Sequence, residues 1–203
     1  MKFVDAYGCI KEVRGVEKTI SVHSFVEADF VCGVLPQFCW VTNKLYKASI
    51  VKETNLSFMT ESHIHEDRIF NLNYLQYVQS LSMFPESTYN YVENPNSLTH
   101  SYVSPNMFLP TADEFDRILR NRVLGINMSI YTGKFCIRFY ILALGLCLVS
   151  PLSKLSLLQR WLLFGRAMKS MLLSYTVRRY KLKAVGWMLA ELGAYAKKFL
   201  ASR

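Results

Sequence analysis

The chain has 203 residues, of which 51% are hydrophobic and 19% charged, with a formal net charge of +9. A composition this apolar excludes a chain that is disordered throughout, and the length suits one ordinary domain or a small domain with a docking module attached. The charge is unevenly placed: Met1 to Ser153 holds 13 Lys or Arg against 14 Asp or Glu, whereas Lys154 to Arg203 holds 11 against the single acid Glu191. The excess therefore belongs to the last quarter, where anionic lipid, nucleic acid or an acidic partner would meet it.

The opening stretch MKFVDAYGCIKEVRG carries acids early and no apolar core, so it does not read as a secretory signal or a transit peptide. Thr19 to His23 alternates as a half-buried strand does. Val31 to Ile50, with Pro36, Trp40 and Tyr46, carries no clear period. From Glu66 to Phe84, Ile69, Leu72, Leu75, Val78 and Leu81 recur every three residues behind two acids, which predicts an amphipathic helix closed by Pro85. Pro85 to Pro110 contains Pro85, Pro95, Pro105 and Pro110 among tyrosines and asparagines, and reads as an extended arm laid over a partner or over the chain's own core. Thr111 to Glu114 has the spacing of a capping box, so a helix is expected to begin there and to run to about Leu124, with Gly125 and Gly133 loosening the connector that follows.

Phe135 to Leu152 is 18 residues with one charge, Arg138. As a helix it would reach about 27 Å, slightly under the roughly 30 Å hydrocarbon core, so it is a short span or a hairpin that turns at Ser150-Pro151. Arg138 can snorkel to headgroups and Tyr140 suits an interface. The competing reading is the core helix of a soluble unit. Leu155 to Tyr175 winds Leu158, Trp161, Leu162 and Leu172 onto a broad apolar arc, with Arg160 and Arg166 opposite and Lys169 at the edge. Arg178, Arg179, Lys181 and Lys183 form a basic cluster beyond it. These residues are the expected lipid contacts. In the last helix Gly186, Ala190 and Ala194 recur every four residues, a stripe suited to close helix packing.

The expected fold is therefore mainly α, with a small mixed α+β part at residues 1–84, an arm at 85–110, a capped helix and connector at 111–134, and a membrane-docking helical module at 135–203. For chemistry the sequence offers little. The five cysteines, Cys9, Cys32, Cys39, Cys136 and Cys147, lack a CxxC pair and read as reduced thiols. His63, His65, Glu66 and Asp67 cluster, with His100 in possible reach, but without the spacing of a zinc site. Phosphate-binding loops and nucleophile elbows are missing. No catalytic residue, metal or cofactor is assigned. The expected role is a non-catalytic accessory subunit of a membrane complex, in an inner membrane of mitochondrial type, with other subunits and anionic phospholipid as partners. The alternative is an RNA-binding structural protein, such as a ribosomal accessory subunit, whose basic tail follows phosphates.

Overall fold

The computed structural model describes residues 2–4, 10–12, 17–22, 40–42, 44–61, 64–84, 89–92, 105–121, 126–149 and 155–201. Two compact units emerge, one made of Met1–Met59 with His65–Val103 and the other of Thr60–Ile64 with Ser104–Arg203. The mostly helical architecture with a small strand component matches the composition. The expected boundary at 110/111 falls inside the helix Pro105–Arg120.

In the first unit β1 (Lys2–Val4) lies between β2 (Ile10–Glu12), antiparallel, and β5 (Asn90–Val92), parallel. A second pair joins β3 (Lys18–Ser21) to β4 (Ser80–Met83), with Ile20 opposite Leu81. The predicted alternation is present: Ile20 and Val22 are buried while Thr19 and Ser21 are exposed. His23 lies outside the described residues. Helix α1 covers Ala48–Glu53 and α2 covers Glu66–Leu75.

The long helix expected over 66–84 is thus two elements. α2 stops at Leu75, and Ser80 to Met83 follow an exposed/half-buried alternation that serves a strand. Leu81 fits both a three-residue and a two-residue period, and pairing with β3 decides between them. Nor is α2 amphipathic, because every residue from Arg68 to Leu75 is buried. Asp67, Asn71 and Tyr74 are matched by the segment that showed no period in the sequence. The Val41 amide donates to Asp67 Oδ2 (3.1 Å), Asn71 Nδ2 to the Trp40 carbonyl (3.1 Å), Tyr46 Oη to Asn71 Oδ1 (2.6 Å), and the Lys47 amide to Tyr74 Oη (2.8 Å). Such pairing is what allows polar side chains into a core.

The second unit is a helical bundle: α3 (Pro105–Arg120), α4 (Ile126–Val149), α5 (Leu157–Leu173), α6 (Tyr175–Tyr180) and α7 (Leu182–Ala201). α3 starts six residues before the expected cap, passes through Pro110, and buries Thr111, whose hydroxyl donates to the Met107 carbonyl one turn back (2.8 Å). Proline withdraws one donor in the second turn, a loss offset by burial of Phe108, Leu109, Ala112, Phe115, Ile118 and Leu119. The rest of the expected arm lies largely outside the described residues.

α4 contains most of the apolar run and is the central helix of this unit. Among the described residues it is the one helix long and apolar enough to cross a membrane, yet 56% of that window is buried within the chain. Cys136, Ile137, Phe139, Tyr140 and Ala143 are covered, and Phe139 stacks on Phe115 with ring centroids 5.6 Å apart. The helix begins nine residues before Phe135, so Gly133 belongs to it rather than to a loose connector. A Cβ there would sit 3.2 Å from both Trp187 and Tyr180, which lets α4 meet the chain around α6 closely. Ser150-Pro151 lies outside the described residues.

Asp116 ties the bundle together. It is 2% exposed; Oδ1 accepts from the Thr176 amide and hydroxyl (2.8 Å each), and Oδ2 accepts from the Tyr175 amide (2.9 Å) and Arg120 Nη2 (2.8 Å). Replacing it with Ala leaves the first-turn amides of α6 and the Thr176 hydroxyl without an acceptor. Asp116→Ala is expected to cost about 3 kcal/mol. Urea denaturation of the variant against the parent, with Asp116→Asn losing less, checks this.

Candidate membrane-docking face

The residues expected to meet lipid divide sharply once placed. Ser156 caps α5, its Oγ accepting from the Gln159 amide (3.3 Å) while Gln159 Oε1 accepts from the Ser156 amide (2.8 Å). This capping box fixes the helix start two residues beyond the expected one. The helix then packs inward on Ala167 and Met171, with Arg160, Leu163, Phe164 and Ser170 half-buried around them. The apolar arc points the other way: Leu157, Leu158, Trp161, Leu162 and Leu172 are 57–72% exposed.

An ordinary surface helix turns its apolar stripe to the core and its polar face to water. Here α5 uses small and half-buried groups inward and presents leucines and a tryptophan outward. α7 does likewise. It packs through Ala184, Trp187, Met188 and Glu191 and exposes Leu182, Val185, Leu189 and Leu192, a run at helical spacing. Outward apolar residues on two helices exceed the scattered single exposures normal for a soluble surface.

The cations border these faces. Arg166 and Lys169 are exposed on α5, and Arg178, Arg179, Lys181 and Lys183 are exposed around α6 and the start of α7. Arg179 lies 5.6 Å over the Tyr175 ring and donates to its hydroxyl. Lys181, with φ 38°, marks the break between the two helices. Two of the expected contacts have partners within the bundle. Tyr140 is fully buried and donates to Asp113 Oδ1 (2.7 Å), which places it in the bundle and not at a lipid interface. Arg138, although exposed, approaches Glu191 of α7 at 3.9 Å. The stripe Gly186, Ala190, Ala194 is exposed, and a Cβ at Gly186 would meet nothing within 4 Å, so within the chain it packs no helix.

A polar cavity of about 400 Å³ opens beside α5, lined by Asp113, Asp116, Arg120, Tyr140, Arg166, Lys169, Ser170 and Leu173. Burial raises the Asp113 pKa above the ordinary carboxylate value, against the opposing pull of Tyr140, Arg166 and Ser170. Burial likewise lifts the Tyr140 hydroxyl and the Cys136 thiol far above their usual ranges. Nothing in the sequence singled out Asp113 or Asp116; their spacing of three on a helix does place both on one face.

In the first unit Glu66 and Asp67 are half-buried in the first turn of α2, directly after His65, whose φ of 59° turns the chain into the helix. His63 and His100 lie outside the described residues, as do Cys9, Cys32 and Cys39. Among the described residues no group of three or more His, Cys, Asp or Glu could hold a metal ion.

Two outcomes follow. Tyr140→Phe removes the hydrogen bond that favours the Asp113 carboxylate, so the Asp113 pKa is expected to rise further, read by carboxyl NMR titration. Because a raised carboxyl pKa means the folded chain holds a proton longer than the unfolded chain, the Asp113 contribution to stability falls as pH rises through the carboxylate range, and more steeply in Tyr140→Phe. Gly186→Ala, in an open helix interior, is expected to stabilise the chain by about 0.5–1 kcal/mol, seen as a higher denaturation midpoint.

Comparison with known proteins gives one lead. Over 72 residues, 35% of this chain, the sequence is 36% identical to an uncharacterized glycosyltransferase, EpsJ, from Bacillus subtilis (strain 168). The matched stretch spans 21% of that protein's length. No family model matches the chain, and no solved structure matches it. Likeness to a glycosyltransferase overturns the expectation of a non-catalytic chain. It also leaves the mitochondrial setting without support.

Proposed function

We propose that the chain serves glycosyl transfer at a membrane surface, docking through the outward faces of α5 and α7. The observation that carries the docking is the reversed amphipathicity of α5, whose Leu157, Leu158, Trp161, Leu162 and Leu172 face away from the bundle while Ala167 and Met171 face into it. Bordering cations would add about 1 kcal/mol each beside an anionic leaflet. α4 is then the structural centre of the docking unit. RNA is a poorer occupant, since phosphates have no use for the five exposed leucines and the tryptophan of α5.

The glycosyl-transfer part rests on the relative's description. Transfer of a sugar to a hydroxyl needs a base for that hydroxyl's proton, and Glu66 and Asp67 are the half-buried carboxylates among the described residues of the first unit. Asp67 also holds the Val41 amide, so Asp67→Asn, which keeps an acceptor there, separates base loss from misfolding.

Flotation of the full chain with vesicles tests the docking. Binding to vesicles containing an anionic lipid is expected, and Leu158→Ala with Trp161→Ala should weaken it about tenfold or more while leaving the denaturation midpoint nearly unchanged, because both side chains are exposed. Equal flotation of parent and variant would remove this reading. For catalysis, transfer of labelled sugar from nucleotide-sugar donors into membrane-bound acceptors is measured. Loss in Asp67→Asn with unchanged flotation supports the assignment, and full activity in that variant rejects it.

A further inference from the structure

The cavity lined by Asp113, Tyr140, Arg166 and Lys169 lies within the helical unit and opens onto the flank of α5. At about 100° per residue, Leu162, Arg166, Lys169 and Leu173 fall on one stripe of that helix, so two exposed cations sit between two exposed leucines. The floor is of opposite character. Asp116 is committed to α6 and Arg120, whereas Asp113 is half-buried with Oδ1 taking the Tyr140 hydroxyl.

These groups set the ligand's chemistry. A bare phosphate would gain from Arg166 and Lys169 but would face two carboxylates. A neutral polyol would suit Asp113 but leave the cations idle. A phosphodiester that carries a hydroxyl satisfies both: its phosphate meets the cations at the mouth, its hydroxyl donates to Asp113, and an attached acyl chain runs over Leu162 and Leu173.

We propose that this cavity is a headgroup site for a hydroxyl-bearing anionic phospholipid of the phosphatidylglycerol type. The site rests on the docking reading and adds selectivity to it. General attraction to negative charge predicts equal binding to all lipids of equal charge. A built site predicts a preference among them.

The test is flotation of the full chain with vesicles holding equal mole fractions of phosphatidylglycerol or phosphatidylmethanol, which match in charge but not in the headgroup hydroxyl. Binding is expected to be about tenfold stronger to phosphatidylglycerol, the size of one good hydrogen bond to a charged acceptor. Arg166→Gln with Lys169→Gln should abolish that ratio. Leu158→Ala with Trp161→Ala should lower binding to both lipids and keep the ratio. Equal binding of the parent to the two lipids overturns the headgroup site while leaving docking intact, and so does a preference that survives in the Arg166/Lys169 variant. If no vesicle binding occurs, docking itself fails, and thermal stability with soluble glycerol phosphate decides the cavity. A rise in midpoint in the parent but not in the Arg166/Lys169 variant keeps the hydroxylated phosphate ester as a free ligand; no rise rejects it.

Discussion

Asp116 belongs to α3, yet its oxygens are occupied by amides and a hydroxyl 59 and 60 positions later in the chain. A buried carboxylate can stay in a core only if its lone pairs are filled, and here the first-turn N–H groups of α6 fill them. The pairing settles more than a local cap. It fixes where α5 must end, since Ser174 is at once the C-terminal boundary of α5 and the cap of α6, accepting from the Val177 amide (3.2 Å). With both ends of α5 pinned, by the Ser156 box and by Ser174, its rotation about its own axis is fixed as well. That rotation is what sends Leu158, Trp161 and Leu162 outward.

The face of α5 was legible in the sequence as a pattern but not as a direction. A helical wheel separates leucines from arginines equally well whether the leucines enter a core or leave it. What reverses the usual assignment is the supply of apolar surface elsewhere: α3 and α4 already cover one another through Phe108, Phe115 and Phe139, so α5 needs only Ala167, Met171 and its half-buried neighbours to complete the bundle. Tyr140 misleads for a related reason. Tyrosine near the start of an apolar run suits a bilayer interface or a buried hydroxyl with an acceptor, and Asp113, 27 positions away, supplies the acceptor.

Elsewhere the sequence was read correctly where one period dominated and wrongly where two coexisted. Ile20 and Val22 have only the strand pattern, and they are buried as it requires. Leu81 satisfies two patterns, and its partner β3 lies some sixty residues away, beyond any local window. Thr111 to Glu114 has the residues of a cap, but a helix that starts earlier and buries its own first apolar stripe outweighs a single side-chain bond. Asp113 and Asp116 carried the least warning, since their significance lies mainly in groups from α4, α5 and α6.

The outward leucines of α5 and α7 have a consequence for the protein in water. On the docking proposal, surface of this kind is uncovered until a bilayer arrives, and two copies would cover it for one another at the cost only of their lost independence. The concentration that can be reached without detergent is then set by self-association and not by the stability of the fold. Excluded salts such as sulfate would lower that limit, whereas mild detergent would raise it without touching the Asp116 contacts beneath.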